Sequence, residues 1–238
     1  MKNLKYVKTT DQGGYAGGFV GISKTGGLAE VGDETEIKSL IEANGLLNAV
    51  AYLIPKYEQC RVEFVKEGQV IGDLAGGFVA DFQSGTLDDA GENIAVNNIE
   101  KVSGRSYAGG FAGKVYAGAL ADASKGISIL GGLTGLNIQL NDLLKLVNVY
   151  VPIIKNAGVH SEEGLVVNAS GYDETDLTSG SAGGYIGYAS AVQITNSDVS
   201  NLKHTTVTPP SKDLNSSDGL SYYNGDFYYA VSAQNCAG

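Results

Sequence analysis

Few residues in this chain are of a type that does chemistry, and they are scattered. His160 and His204 are the only histidines, Cys60 and Cys236 the only thiols, Arg61 and Arg105 the only arginines. A nucleophilic centre needs Ser or Cys within reach of an imidazole that a third group orients. Neither histidine belongs to such a pattern. His160 aligns with Glu63 in an internal copy described below, and His204 lies in a polar, linker-like stretch. Zinc needs clustered Cys and His, and there is no CxxC. Cys60 aligns with Ala157 among apolar neighbours and reads as a buried structural thiol, a bridge to Cys236 being the alternative.

Oxygen ligands are also sparse. Asp88-Asp89 with Glu92, and Asp173-Glu174 with Asp176, are the acidic groups that calcium would need. Neither has EF-hand spacing, so both read as solvated loops. The expectation is no cofactor, with calcium as the alternative. Ala16-Gly17-Gly18 and its repeats lack the Lys-Ser/Thr of a phosphate loop and the GxGxxG order, so their glycines serve packing. Glycoside cleavage needs convergent carboxylates, or a basic residue beside calcium. The carboxylates here spread through loops. No catalytic, cofactor-binding or metal residue is assigned, and the binding residues stay unplaced.

Composition narrows the partners. With 16 Lys plus Arg against 26 Asp plus Glu, the net charge is −10, which disfavours nucleic acid and anionic membranes. No stretch reaches the roughly 18 apolar residues of a membrane span. The first residues, Met1-Lys2-Asn3-Leu4, lack the apolar run of a signal peptide, and the chain reads as a segment of a longer protein. A hydrophobic content of 43% supports a folded core, while 34 glycines without a collagen period call for many close backbone approaches.

Those glycines belong to a word written four times: Tyr15-Ala16-Gly17-Gly18-Phe19-Val20-Gly21, Leu74-Ala75-Gly76-Gly77-Phe78-Val79-Ala80, Tyr107-Ala108-Gly109-Gly110-Phe111-Ala112-Gly113 and Ser181-Ala182-Gly183-Gly184-Tyr185-Ile186-Gly187. Between the first two, Ala43, Leu46, Leu47, Val50, Ile54 and Tyr57 form a helical stripe that Pro55 should end or kink. Leu140, Leu143, Leu144, Val147, Val151 and Ile154 repeat it around Pro152. Leu46 and Leu143, Pro55 and Pro152, and Val62 and Val159 are all 97 residues apart. The flanking motifs are 92 apart before the helix (Ala16, Ala108) and 107 after it (Ala75, Ala182), so the second copy carries longer connections. The chain is an internal duplication, with copies at about 13–90 and 105–199 inside a unit spanning 1–202.

Val62-Glu63-Phe64-Val65 reads as a strand, as does the alternating run from Ile94 to Gly104 and the segment Val192–Val199. Short strands about 20 residues apart, ending in Asn, Ser or Gly, predict a mainly β parallel β-helix or solenoid. Paired glycines would let the chain pass tight corners without blocking the next coil, and the Phe or Tyr that follows would stack on its counterparts. The two helices would be insertions lying on the solenoid. Residues 203–238 read as a linker and a terminal hairpin at Asn224-Gly225, or as the start of a further unit. Tyr222, Tyr223, Phe227, Tyr228 and Tyr229 there would fill the hairpin's core or stack on a sugar or protein.

The four AGG-aromatic words resemble the Gly-rich GLUG-type repeats of large bacterial surface proteins, in which YAGGLVG-like words punctuate a β-helix. The resemblance covers the motif regions and neither the helices nor the C-terminal segment. It implies an exported, cell-surface or secreted module, adhesin-like or a spacer, whose partner would be a host or cell-surface protein or a glycan. Function is thus expected to be non-catalytic binding or support. The alternative is a polysaccharide lyase or glycosidase on a β-helix scaffold.

Overall fold

The computed structural model describes residues 1–9, 13–25, 51, 53–89, 93–118, 150–170 and 180–207. These are mainly β, and every strand pairing is parallel. A seven-stranded sheet holds β1 (Leu4–Lys8), β2 (Tyr15–Gly17), β5 (Val62–Gly76), β8 (Ile94–Gly109), β11 (Gly158–Ala169), β12 (Ser181–Gly183) and β15 (Val199–Val207). A second sheet stacks β3 (Val20–Ser23), β6 (Val79–Phe82), β9 (Ala112–Tyr116) and β13 (Ile186–Ser190). The third stacks β4 (Lys56–Glu58), β7 (Thr86–Asp88), β10 (Ile153–Lys155) and β14 (Gln193–Thr195). The chain visits the sheets in turn, and each strand lies beside its counterpart from the previous and the next circuit. This is a β-helix-like arrangement.

A full circuit is longer than the expected 20-residue spacing, because it crosses three sheets. Ala75 and Ala108 are register partners 33 residues apart. Val62 pairs with Val96, and Val96 with Val159. The 97-residue repeat therefore spans two circuits, one with an insertion and one without. Residues 26–50 and 119–149 leave after β3 and β9 and return before β4 and β10, at the same corner two circuits apart. The expected helical stripes fall mostly within those two segments, outside the described residues. Their last members belong to strands instead: Tyr57 to β4 and Ile154 to β10. Pro55 and Pro152 do mark the return, each offering its carbonyl to the next circuit, from Thr86 N and Gln193 N at 2.9 Å.

The interior is a column of aromatic rings. Phe19, Phe78, Phe111 and Tyr185 stack with centroids 5.0, 5.4 and 5.0 Å apart, close to the strand spacing that puts equivalent residues over one another. Val62, Val96 and Val159 line the same core, and the half-buried Tyr185 donates from its hydroxyl to the Ala157 carbonyl at 2.7 Å.

The two glycines of each motif have different neighbours. A Cβ on Gly76 would lie 1.9 Å from the Val79 carbonyl oxygen, within its own circuit. On Gly77 it would lie 2.0 Å from the Gly110 oxygen, in the next circuit. Neither has a positive φ, so the requirement is space and not conformational freedom.

The run from Ile94 does not alternate as read from the sequence. Val96, Ile99 and Val102 are all buried, three residues apart each time, because Asn98 takes a left-handed φ of 58° and a second register shift falls between Ile99 and Lys101. Glu67, Gly164 and Asn201 hold the matching left-handed positions in β5, β11 and β15, and the register shifts there. Strand β15 also runs past residue 202 to Val207, and residues 208–238, with the expected hairpin, lie outside the described residues.

Gly77→Ala is expected to cost about 3 kcal/mol or more. In a chain of this size that is roughly 6–12 °C of melting temperature by circular dichroism. Gly21→Ala, whose Cβ would come no nearer than 3.3 Å to the Tyr15 oxygen, should lose less than about 1 kcal/mol. Equal losses at the two positions would contradict the close-approach account.

Candidate functional site

The residues singled out for chemistry are mostly engaged in holding circuits together. Arg61 donates from Nε and Nη2 to both oxygens of the fully buried Asp89, at 2.8 and 2.9 Å. Arg105 grips Asp73 in the same bidentate way, at 2.9 and 3.3 Å, and Ser106 Oγ adds a third contact at 2.9 Å. Asp88 accepts from Asn156 Nδ2 at 2.8 Å, and Asn156 in turn accepts from Asn196 Nδ2 at 2.6 Å. The Asp88-Asp89 pair is thus committed to Arg61 and Asn156, while Glu92 and the Asp173-Glu174-Asp176 group lie outside the described residues. Among the described residues no three His, Cys, Asp or Glu side chains gather where a metal ion would sit.

His160 Nδ1 shares a hydrogen bond of 2.6 Å with Ser200 Oγ on the outer side of β11. His204 lies in β15, not in a linker. Cys60 is a free thiol, half-buried where the sequence suggested full burial, with Cys236 outside the described residues. The motif amides are occupied too: Gly77 N donates to the Gly109 and Gly110 carbonyls and Gly110 N to the Gly184 carbonyl, so no phosphate cradle forms.

What the tertiary structure gathers is a corner where the seven-stranded sheet meets the second sheet. Three of the four words end in glycine and the second in Ala80, and two of those glycines are closely packed. A Cβ on Gly113 would meet the Ala80 and Ala75 carbonyl oxygens at 2.8 and 2.9 Å, and on Gly187 the Ala108 oxygen at 2.6 Å. The turn sets the column of the motif's first position beside a column of the second sheet. The former column runs Tyr15, Leu74, Tyr107, Ser181. The latter runs Ile22, Asp81, Lys114, Tyr188. Leu74, Ala80, Tyr107 and Tyr188 form an apolar cluster separate from the main core.

Lys114 lies in the middle. Its Nζ is 4.9 Å from the Tyr107 centroid, 4.9 Å from Tyr116 and 5.5 Å from Tyr188. The Tyr107 and Tyr188 rings meet at 5.7 Å, tilted by 52°. Such cation–π contacts are worth about 0.5–2 kcal/mol each as water is excluded. Beside Lys114 in register is Asp81, 3% exposed, whose Oδ2 accepts from Gln83 Nε2 at 2.7 Å while Oδ1 has no partner. Burial raises the Asp81 pKa above 3.8, against the opposing pull of the Gln83 bond and the Lys114 charge. Residue types alone do not mark Asp81, Lys114, Tyr116 or Tyr188. The available pattern is a seven-residue spacing from the motif's first position to the second sheet: Tyr15 and Ile22, Leu74 and Asp81, Tyr107 and Lys114, Ser181 and Tyr188.

Comparison with family models, curated proteins and solved structures finds no match to this chain.

An acid whose folded pKa is raised holds its proton more tightly when folded. The stability linked to Asp81 is therefore complete below the unfolded value near 3.8 and lost as pH rises through the folded value. Asp81→Asn keeps an acceptor for Gln83 and removes that loss. The variant should resist urea better than the parent at pH 7 and match it at pH 3. A variant less stable than the parent at pH 7 would show that the Lys114 attraction outweighs desolvation.

Proposed function

We propose that this chain is a β-solenoid segment, with two insertions predicted to be helical, from an exported bacterial surface protein of the GLUG-repeat kind. It works as a non-catalytic, adhesin-like binding module. The observation that carries this reading is the gathering of Tyr107, Tyr116 and Tyr188 around Lys114, apart from the main core. Aromatic rings that lie outside the main aromatic stack converge there on one half-buried lysine, and the exposed Tyr15 and Ile22 stand in the same two columns. The motif recurrence that builds the corner supports the kinship with Gly-rich surface repeats. The acidic balance of −10 suits a soluble extracellular module and a partner that is not a polyanion.

The chemistry around the corner supports binding over turnover. A glycosidase uses two carboxylates separated by roughly 5–9.5 Å. Asp81 is the carboxylate of this corner, and its in-register neighbours are Ile22 and Lys114.

The immobilised chain is expected to retain at least one partner in a screen of extracellular-matrix proteins and cell-surface glycans. Tyr116→Ala should weaken that binding about tenfold. No reducing or unsaturated sugar ends should appear on incubation with polysaccharides. Their appearance would establish the lyase or glycosidase instead, and silence across the whole screen would leave a spacer.

A further inference from the structure

We infer that the sheet edge of the fourth circuit is a docking surface for the chain's own residues 223–236, which lie on it as a fifth, degenerate copy of the repeated word. This stands apart from the binding-module reading and does not depend on it. The exposure of each column marks the edge. Phe78 and Phe111, inside the ring column, are buried, whereas Tyr185 at its end is half-buried. Leu87 and Ile154 are fully buried, while Ile194, next in their column, is 39% exposed. The motif amides show the same break. Phe19 N, Phe78 N and Phe111 N each donate to the carbonyl of the ring residue in the next circuit, at 2.9, 2.8 and 2.8 Å. Among the described residues, Tyr185 N finds no such acceptor. A strand edge of this kind is a template for one more strand.

The occupant is written in the sequence. Tyr223-Asn224-Gly225-Asp226-Phe227-Tyr228-Tyr229 repeats the word's first aromatic, first glycine and ring residue at the same positions. Set against the fourth copy it keeps one offset of 42: Tyr185 to Phe227, Ser190 to Ser232, Ala191 to Ala233. The departures follow from its place in the stack. A Cβ on the first glycine, at Gly17, Gly76, Gly109 or Gly183, would lie 1.9–2.0 Å from a carbonyl of its own circuit. Every copy needs that glycine, and Gly225 keeps it. The second glycine answers to the circuit that follows, whose carbonyl oxygen would stand 2.0–2.2 Å from a Cβ at Gly18, Gly77 or Gly110. A word that closes the stack has no such neighbour, and there Asp226 replaces it. Its charge also discourages a further strand. Tyr229 replaces the final glycine, at a position where Ala80 already carries a Cβ.

The chain has the length to reach. Val207 is in register with Ala169, and Tyr223 follows Val207 by 16 positions where Ser181 follows Ala169 by 12. The offset sets Cys236 over Ile194, where a thiol acts as a small apolar side chain. Cys60 follows β4 in the first circuit, so four strand spacings of about 4.8 Å hold the two cysteines about 19 Å apart. A disulfide needs Cα atoms within roughly 7 Å. A second copy could continue the same columns with its Phe19, but a tethered segment competes at an effective concentration of roughly millimolar.

The test is amide hydrogen exchange on the full chain and on full-length Phe227→Asp and Asp226→Ala, with light scattering and a thiol count. Amides 184–186 should be protected in the parent, and Phe227→Asp should speed their exchange about tenfold or more. Residues 76–79 should exchange as before, which shows that the variant still folds. Asp226→Ala should leave the protection at 184–186 intact, because no carbonyl faces that position. Both thiols should titrate as free in the denatured, unreduced parent. Fast exchange at 184–186 in the parent, as for a hairpin standing clear of the stack, would overturn the inference. So would protection that survives Phe227→Asp; a dimer mass alongside it would make a second copy the occupant. Protection lost in Asp226→Ala, or a Cys60–Cys236 disulfide, would equally overturn it.

Discussion

Each circuit of this chain must pass a corner where the carbonyl oxygen of the next circuit fills the space a Cβ would need. At Gly18, Gly77 and Gly110 that oxygen would lie 2.1, 2.0 and 2.2 Å away. Glycine there lets the backbones approach until their amides and carbonyls bond across circuits, as Gly110 N does to the Gly184 oxygen at 3.0 Å. Once the corner closes at that distance, the residue after it has no choice of height. Phe19, Phe78, Phe111 and Tyr185 then stack at about the strand spacing, and Val62, Val96 and Val159 follow in their own column.

The same rule acts on polar groups. A residue at a given corner repeats above and below its counterpart, so like charges would face each other about 4.8 Å apart along the stack. Glu58 and Asp88 do stand in register as two carboxylates, but the next level of that column is Lys155, and other columns alternate partners. Asp88, Asn156 and Asn196 make a ladder in which the lower residue donates to the upper, and the arginines reach to an aspartate of a neighbouring circuit. On the outer corner the column Ile22, Asp81, Lys114, Tyr188 has a different chemistry at every level. Stacking thus gives the core its uniformity, while the outer columns are free to vary, and a site can be written there without disturbing the interior.

The two long insertions obey the same geometry. Both leave from the corner between the second and third sheets, in the first and third circuits, while the second and fourth pass that corner directly. Gly85 makes the direct passage with φ +137°, and Ala191 with φ 55°. The duplicated unit is therefore a pair of circuits, one plain and one carrying an insertion.

Much of this was legible in the chain itself. Four AGG-aromatic words and a 97-residue offset identify the repeat, the parallel β class and the stacked rings, because each depends on local residue types at fixed intervals. The circuit length was not legible, since one circuit spans three sheets and only pairing shows which valine lies over which. The phase of the strand from Ile94 was not either, because the left-handed turn at Asn98 breaks an alternation that the residue types appear to follow. The corner around Lys114 was least legible of all. Tyr107 and Lys114 lie on consecutive strands of one circuit and Tyr188 on the next, and their meeting depends on how the first sheet turns into the second. Local composition determined what stacks; the three-dimensional bend decided what the stack presents to a partner, because convergence of side chains across circuits is set by backbone curvature that no single segment encodes.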